Sequence, residues 1–443
     1  MKIHARLYWI ISVSLLALAS LALIRWGNLQ LTKYLEGEAF RAELEKQTAR
    51  GLHFKGGQYA PIQRRGWFTA SSESFRGDDG RKAMRTLEAQ GISATFNPLG
   101  ILLRRWQLDR VEVEGGNVTI QTYEPTPEPS PAKPWYHLFL PQRVYLRQVA
   151  SGPVDVTWRL RGQRAGFFGT RLLITPHGRD FNYQATGGRL KMPLMPELGL
   201  RDTHLVITKE LLTLYNLDLL SREGEGQIHA EGQAGTRDNR SVNFKFTFER
   251  LPIAQWLPDS WRDHARGVVT GKIAWRGRDP KLEHSEGEAS LRLDQGRLVK
   301  LPFLRKLAGI TGEQALEKLT LSDCSAELSW AYPKVEIKQL AVEAKEKFRA
   351  EGAVTIEERN LQGTIQLGVA PGLLDWLPNP EEVFPRRHSG YLWTTVHLSG
   401  TLESPQQDLA PRIIAAIKDD PGAALRLLFR SLGEWLEGKF NRD

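Results

Sequence analysis

The side chains able to do chemistry are few and scattered. Cys324 is the only cysteine, so neither an intrachain disulfide nor a cysteine-based metal cluster can form. It lies in the strand-like run Leu319–Trp330 and reads as a core residue. The ten histidines are dispersed, and no pair has zinc-ligand spacing with a third nearby. His388, beside Arg386 and Arg387, reads as a solvated loop residue. Residues 267–272 (GVVTGK) superficially suggest a phosphate loop, but the spacing is one residue short and Ile273 stands where a hydroxyl is needed. They read as a strand. No G-x-S-x-G elbow, no G-x-x-x-x-G-K-[ST] loop and no H-E-x-x-H helix occurs. Carboxylates are abundant, yet nothing marks a pair for glycoside chemistry. The expectation is a protein that is not an enzyme, with no catalytic residues, no metal and no cofactor.

Arginine and tryptophan are interleaved at Arg64–Trp67, Arg104–Trp106 and Trp158–Arg164. Such runs could stack bases and neutralise phosphates. On a strand, the same alternation is a polar face beside an apolar one, and a guanidinium also pairs well with a lipid phosphate. The formal net charge of +9 is scattered, with no block of like charges. It favours anionic partners such as headgroups without indicating nucleic acid. Six of the thirteen tryptophans, Trp256, Trp261, Trp275, Trp330, Trp376 and Trp393, fall near strand ends. There they either close a core or line a groove mouth.

Those residues must be positioned by two kinds of element. The first is a helix. From Leu7 to Ile24 eighteen residues carry no charge; at about 1.5 Å per residue they reach roughly 27 Å, close to a hydrocarbon core of about 30 Å. Leu7, Leu15, Leu16, Leu21 and Ile24 are apolar anchor candidates, with Tyr8 and Trp9 at one end and Trp26 at the other as an aromatic belt. Lys2 and Arg6 precede the run while Arg25 and Lys33 follow it, which favours a cytoplasmic N-terminus. Ala17-Leu18-Ala19 offers a competing signal-peptide cleavage site. The apolar run continues five residues past Ala19, as an anchor requires. On either reading the remainder is exported, and nucleic acid is not an expected partner.

The second kind of element is the strand. Leu29–Arg50 reads as an amphipathic helix on the spacing of Leu31, Leu35, Phe40 and Leu44. Beyond Gly51 the period changes to two. Val111, Val113, Val118 and Ile120 alternate around a Gly115-Gly116-Asn117 hairpin turn. The same pattern recurs in Thr203–Thr208, Gln227–Gly232, Ser241–Phe248, Val268–Trp275, Ala289–Asp294, Lys334–Lys338, Gly352–Ile356, Thr364–Val369 and Gly390–Leu398. Glu124–Pro134 carries five prolines in eleven residues, which makes it an extended segment that cannot join a ladder. Leu301–Ala308 and Pro411–Lys418 read as short helices, and after Pro421 a stripe of Leu425, Leu428, Phe429, Leu432 and Leu436 marks another. With 41% hydrophobic and 25% charged residues, wholesale disorder is excluded.

The strand order resembles the AsmA-like superfamily of bacterial envelope proteins. The N-terminal part of the resemblance lies in Phe40–Gly51 (FRAELEKQTARG), Gly66–Gly80 (GWFTASSESFRGDDG), Leu87–Phe96 (LEAQGISATF) and Pro98–Ile120 (PLGILLRRWQLDRVEVEGGNVTI). The C-terminal part lies in Gly267–Gly277 (GVVTGKIAWRG), Ser285–Leu307 (SEGEASLRLDQGRLVKLPFLRKL), Phe348–Ile356 (FRAEGAVTI) and Leu398–Asp408 (LSGTLESPQQD), whose G-T-L-x-x-P-x-x-D is the most specific piece. Residues 135–260 fit loosely, and the proline-rich segment is not something the family requires.

The resemblance implies a mainly β protein: a transmembrane helix, then an elongated, twisted antiparallel β-groove with short capping helices and a C-terminal amphipathic helix. The implied divisions are an anchor (1–26), an N-terminal module (27–124), a linker (125–134), a groove body (135–408) and a helical end (409–443). It further implies an inner-membrane protein facing the periplasm that carries phospholipid or another acyl-chain lipid in support of outer-membrane biogenesis. Candidate groove residues are Val111, Val113, Val118, Ile120, Phe244, Phe246, Ile273, Trp275, Ile365 and Leu367. The competing expectations are a β-sandwich or helix-capped sheet with a dry core and a non-catalytic scaffold. The scaffold would bind an envelope protein, or a second copy of itself, through the β-body and the C-terminal helix.

Overall fold

The computed structural model describes residues 2–418 other than 81–83, 103–105, 122–143, 161, 178–179, 194, 209, 222–225, 236–239, 258, 280, 300–307, 309–313 and 402–403. The described chain is mainly β. It divides into two compact units, Met1–Val206 and Ile207–Asp443.

The first unit opens with α1 (Lys2–Leu35), one helix of 34 residues that contains the whole Leu7–Ile24 run. The side chains of Leu7, Tyr8, Trp9, Leu15 and Leu16 lie outside the described residues. From Ala17 onward, Leu18, Leu21, Leu23, Ile24 and Trp26 are each more than half exposed. Among the described residues no helix is long and apolar enough to cross a membrane. The single helix expected over Leu29–Arg50 is instead the end of α1 and a separate α2 (Glu38–Leu52). Gly37 makes the break: a Cβ there would lie 2.9 Å from the Lys33 carbonyl oxygen. The apolar spacing still does its work across the break, since Leu35, Phe40 and Leu44 pack together with Ile62, Ala70 and Phe96.

Beneath α2 lie β1 (Gly56–Tyr59), β2 (Ile62–Arg64), β3 (Thr69–Asp78), β4 (Met84–Phe96) and β5 (Trp106–Ile120). β1 and β2 both pair with β3, and β3, β4 and β5 follow in antiparallel order. The expected hairpin at Gly115–Asn117 does not form. β5 runs unbroken for 15 residues, and Gly115 and Gly116 pair with Gln90 and Ala89 of β4. The glycines serve a close approach, since a Cβ on Gly116 would lie 2.2 Å from the Glu88 carbonyl oxygen. In β4, Leu87 and Ile92 differ in parity yet pack against one cluster (Ala49, Phe54, Phe75 and Ala89). Gly91 lies between them with φ at +61°, a conformation open to glycine that turns the strand over.

Parallel pairing enters once. β6 (Val144–Leu146) and β7 (Val149–Leu160) run parallel to β5, and parallel neighbours require a long connection. The proline-rich segment 122–143 joins them and lies outside the described residues. Because the strands on its two sides are sheet neighbours, the division between compact units falls at Val206 and not at that segment. β8 (Gln163–His177), β9 (Asp180–Thr186), β10 (Arg189–Lys191) and β11 (Leu198–Ile207) continue antiparallel.

The second unit is a meander. Its strands are β12 (Leu211–Ser221), β13 (Gln227–Gly235), β14 (Val242–Pro252), β15 (Ala265–Gly277), β16 (Ser285–Val299), β17 (Lys318–Thr320), β18 (Asp323–Ala331), β19 (Lys334–Ala344), β20 (Phe348–Glu357), β21 (Asn360–Val369), β22 (Arg386–His388), β23 (Tyr391–Gly400) and β24 (Pro405–Gln407). Every pairing registered among them is antiparallel, mostly between chain neighbours. Register shifts interrupt β12–β13, β14–β15, β15–β16, β18–β19 and β19–β20. In β14 the shift falls between Phe248 and Leu251 around Arg250, whose φ is +51°. Such bulges bend a strand and increase its twist.

Helical pieces close one edge of this unit. The C-terminal helix Leu409–Lys418 packs Ile413, Ala416 and Ile417 against Leu374, Leu377, Val383, Phe384 and Leu392. The expected helix over Leu301–Ala308 falls outside the described residues except for Ala308, which is buried against Leu319, Leu321 and Ala344. The stripe from Leu425 to Leu436 also lies outside them.

Candidate functional site

Residues directly opposite in an antiparallel pair share a face, so register converts the alternation of single strands into rows. In the second unit one row runs Gly232, Phe244, Trp275, Gly287, Trp330, Val335, Ile356, Leu361. The next runs Ala230, Phe246, Ile273, Ala289, Leu328, Ile337, Val354, Gly363, Leu398. A third runs Ile228, Phe248, Gly271, Leu291, Ala326, Leu340, Gly352, Ile365, Val396. Every member is apolar or glycine. At about 4.8 Å between strands, the nine strands from β13 to β23 extend this face roughly 40 Å.

The opposite face is charged. Lys245, Lys272, Arg276, Glu286, Glu288, Glu327 and Lys334 are exposed on it, and Lys245 pairs with Glu231 at 3.5 Å while Lys334 pairs with Glu336 at 2.5 Å. A sheet with one apolar and one charged face needs a cover on the apolar side.

Large side chains on that face lie over glycines of the next strand. A Cβ on Gly287 would sit 2.2 Å from Trp330 Cζ2, and one on Gly232 would sit 2.6 Å from Phe244 Cδ1. Rings laid flat across the sheet cover backbone instead of rising to meet a second layer. Phe244, Phe246, Ile273, Trp275, Leu291, Leu328, Trp330, Ile337, Ile356 and Ile365 are accordingly half-buried. None of these ten belongs to the buried core, although Ile228, Ala230, Val354 and Val396 of the same rows do.

Two indole N–H groups stand within the apolar rows, and one of them has no partner. The Trp275 ring stacks on Phe244 with centroids 6.0 Å apart, and its indole Nε1 is buried with no hydrogen-bond acceptor. The neighbouring Trp330 donates from Nε1 to the Ser285 hydroxyl at 3.4 Å. Cys324 lies in the row beyond Ile365, through Val342, Ala350 and Leu367. Burial, reinforced by the charge of Asp323, pushes its thiol above the ordinary range. Among the described residues no three His, Cys, Asp or Glu side chains are grouped to hold a metal ion.

Of the ten groove candidates, the structure places Phe244, Phe246, Ile273, Trp275, Ile365 and Leu367 on this one face. The other four lie in β5 of the first unit and do not form one set. Val113 packs against the cluster that includes Ala49 of α2 and Phe54, so its own chain covers it. Val111 pairs with Ala94 and Val149, and Val118 with Leu87 and Val156. Ile120 ends the strand 37% exposed. Sequence reasoning missed Leu291, Leu328, Trp330, Ile337 and Ile356, and also the glycines between the rings. Alternation within each strand points to the former; the latter need register.

No protein-family model, no curated protein and no solved structure matches the chain.

Proposed function

We propose that this chain is an AsmA-like envelope protein, tethered to the inner membrane by the Leu7–Ile24 part of α1, that carries phospholipid acyl chains on the apolar face of its second unit. The observation that carries this reading is that face itself: three adjoining apolar rows over eight or nine strands, their large side chains half-buried. An acyl chain reaches about half of a 30 Å hydrocarbon core, so the face accommodates one with room to spare. Covering it at about 25 cal/mol per Å² of apolar area is worth several kcal/mol per chain. The exposed Leu18, Leu21, Leu23 and Ile24 of α1 support the tether. The helix Leu409–Lys418 is itself occupied, since Ile413, Ala416 and Ile417 pack on the chain's own β-unit; the Leu425–Leu436 stripe through which scaffolding is expected lies outside the described residues.

A photoreactive amino acid tests the assignment residue by residue. Placed at Phe246 or Ile365 in the full-length protein, it is expected to cross-link phospholipid acyl chains on illumination. At Lys272, on the charged face, it is expected not to. Equal labelling from both faces, or none from either, would rule the groove out.

A further inference from the structure

The turn between β2 and β3 leaves Trp67 and Phe68 58% and 48% exposed. At the same end of the sheet, Leu99 is 62% exposed; the Phe96 backbone N–H donates to the Phe68 carbonyl at 2.8 Å and β3 and β4 pair at Thr69 and Thr95. Three large apolar side chains thus protrude together where solvent would otherwise surround them, which marks a contact surface.

Its position is fixed by Arg64. The guanidinium donates from Nη1 to the Asn28 carbonyl (2.9 Å) and the Thr32 hydroxyl (2.8 Å) of α1. It also donates from Nε to the Gly66 carbonyl at 2.9 Å and lies 5.8 Å from the centroid of the Trp67 ring. One side chain therefore clamps the aromatic turn to α1, four to eight residues beyond Ile24. At about 1.5 Å per residue that is roughly 6–12 Å past the apolar run. The polar layer on each side of a bilayer is about 5–8 Å thick. Trp26, 62% exposed, lies on α1 between the apolar run and this interval, and Arg25 on α1 and Arg65 in the turn are exposed as well.

We propose that Trp67, Phe68 and Leu99 form a second membrane contact, seated in the headgroup layer of the bilayer that α1 crosses, with Arg25 and Arg65 facing anionic phosphates. Aromatic residues partition to that layer, and basic residues there are drawn to anionic lipid. The contact rests on the tether reading of α1. It holds the first unit at a fixed orientation on the membrane, where a helix alone would leave it free to swing.

The test uses full-length protein with C324A, carrying an environment-sensitive fluorophore at W67C, L21C or Y215C, in vesicles of phosphatidylethanolamine and phosphatidylglycerol. The label at 67 is expected to shift to shorter wavelength and to be quenched best by lipids bearing a quencher near the headgroup. The label at 21 should respond to deep quenchers, and the label at 215, on the second unit, to neither. A water-like label at 67 with a quenched label at 21 overturns the second contact and leaves the tether standing. Water-like labels at both positions overturn both.

Discussion

The indole N–H of Trp275 is buried without an acceptor beside Phe244, and a donor left so costs about 1–3 kcal/mol. On the proposed lipid-carrier reading, a glycerolipid would bring ester carbonyls into the apolar row and relieve that cost. Wild-type protein is therefore expected to favour ester-linked over ether-linked phospholipid by about five-fold in competition, the worth of one neutral hydrogen bond. Trp275→Phe keeps the ring and is expected to abolish the preference while leaving lipid-free stability unchanged or slightly raised. Equal preference in the wild type would show that the N–H does not meet the lipid. Cys324 provides a second check on the same face. Its thiol is partly buried and held above the ordinary range, and the thiolate is the reactive form. Alkylation near neutral pH is expected to be much slower than in urea-unfolded protein; similar rates would show that the face is open at that point.

The C-terminal helix is held by a polar clasp as well as by its apolar stripe. Arg412 donates to the Thr394 hydroxyl at 2.9 Å and to the Thr395 carbonyl at 2.6 Å, and Thr394 is 1% exposed. Asp408 accepts from the His397 backbone N–H at 2.8 Å and lies 2.9 Å from its Nδ1. That bond, more than the nearby Arg412, holds the Asp408 carboxyl below the usual carboxylate range. A lowered folded value contributes stability above the ordinary carboxylate range and loses it as pH falls through the lowered value. Protection of the Ile413–Ile417 amides, taken relative to the intrinsic exchange rate at each pH, is thus expected to fall on acidification, and Asp408→Asn should remove that acid response. Arg412→Ala is expected to weaken docking by about 1 kcal/mol, the side chain being partly solvated. An unchanged exchange profile in both variants would show that the apolar stripe alone holds the helix. This helix was legible as the short helical stretch Pro411–Lys418, as were the strands from their period of two. Gly115 was not: it lies against the Pro153 carbonyl of another strand, which local spacing does not encode, and the break at Gly37 interrupts an apolar spacing that continues across it. The six groove candidates of the second unit share one face, as their alternation suggests, whereas Val113 packs against the Phe54 cluster, a tertiary contact that alternation does not encode.

In the second unit each long strand pairs chiefly with its neighbours in sequence, so the apolar rows are built one strand at a time, as in repeat architectures. Bulges in five of the pairs add twist, and rings lying over Gly232 and Gly287 keep the face low. Such a face has two outcomes, a dry core or a lipid-covered groove, and the half-buried state of Phe246, Leu291 and Leu328 supports the second. The direct measurement is the lipid content of full-length protein purified in mild detergent, extracted and quantified by mass spectrometry, beside a Phe246→Lys, Leu291→Lys variant whose β-content is verified by circular dichroism. Wild-type protein is expected to retain phospholipid in fixed stoichiometry, and the folded double variant to lose most of it. Wild-type protein free of lipid, or a folded variant that retains the same amount, would contradict the groove.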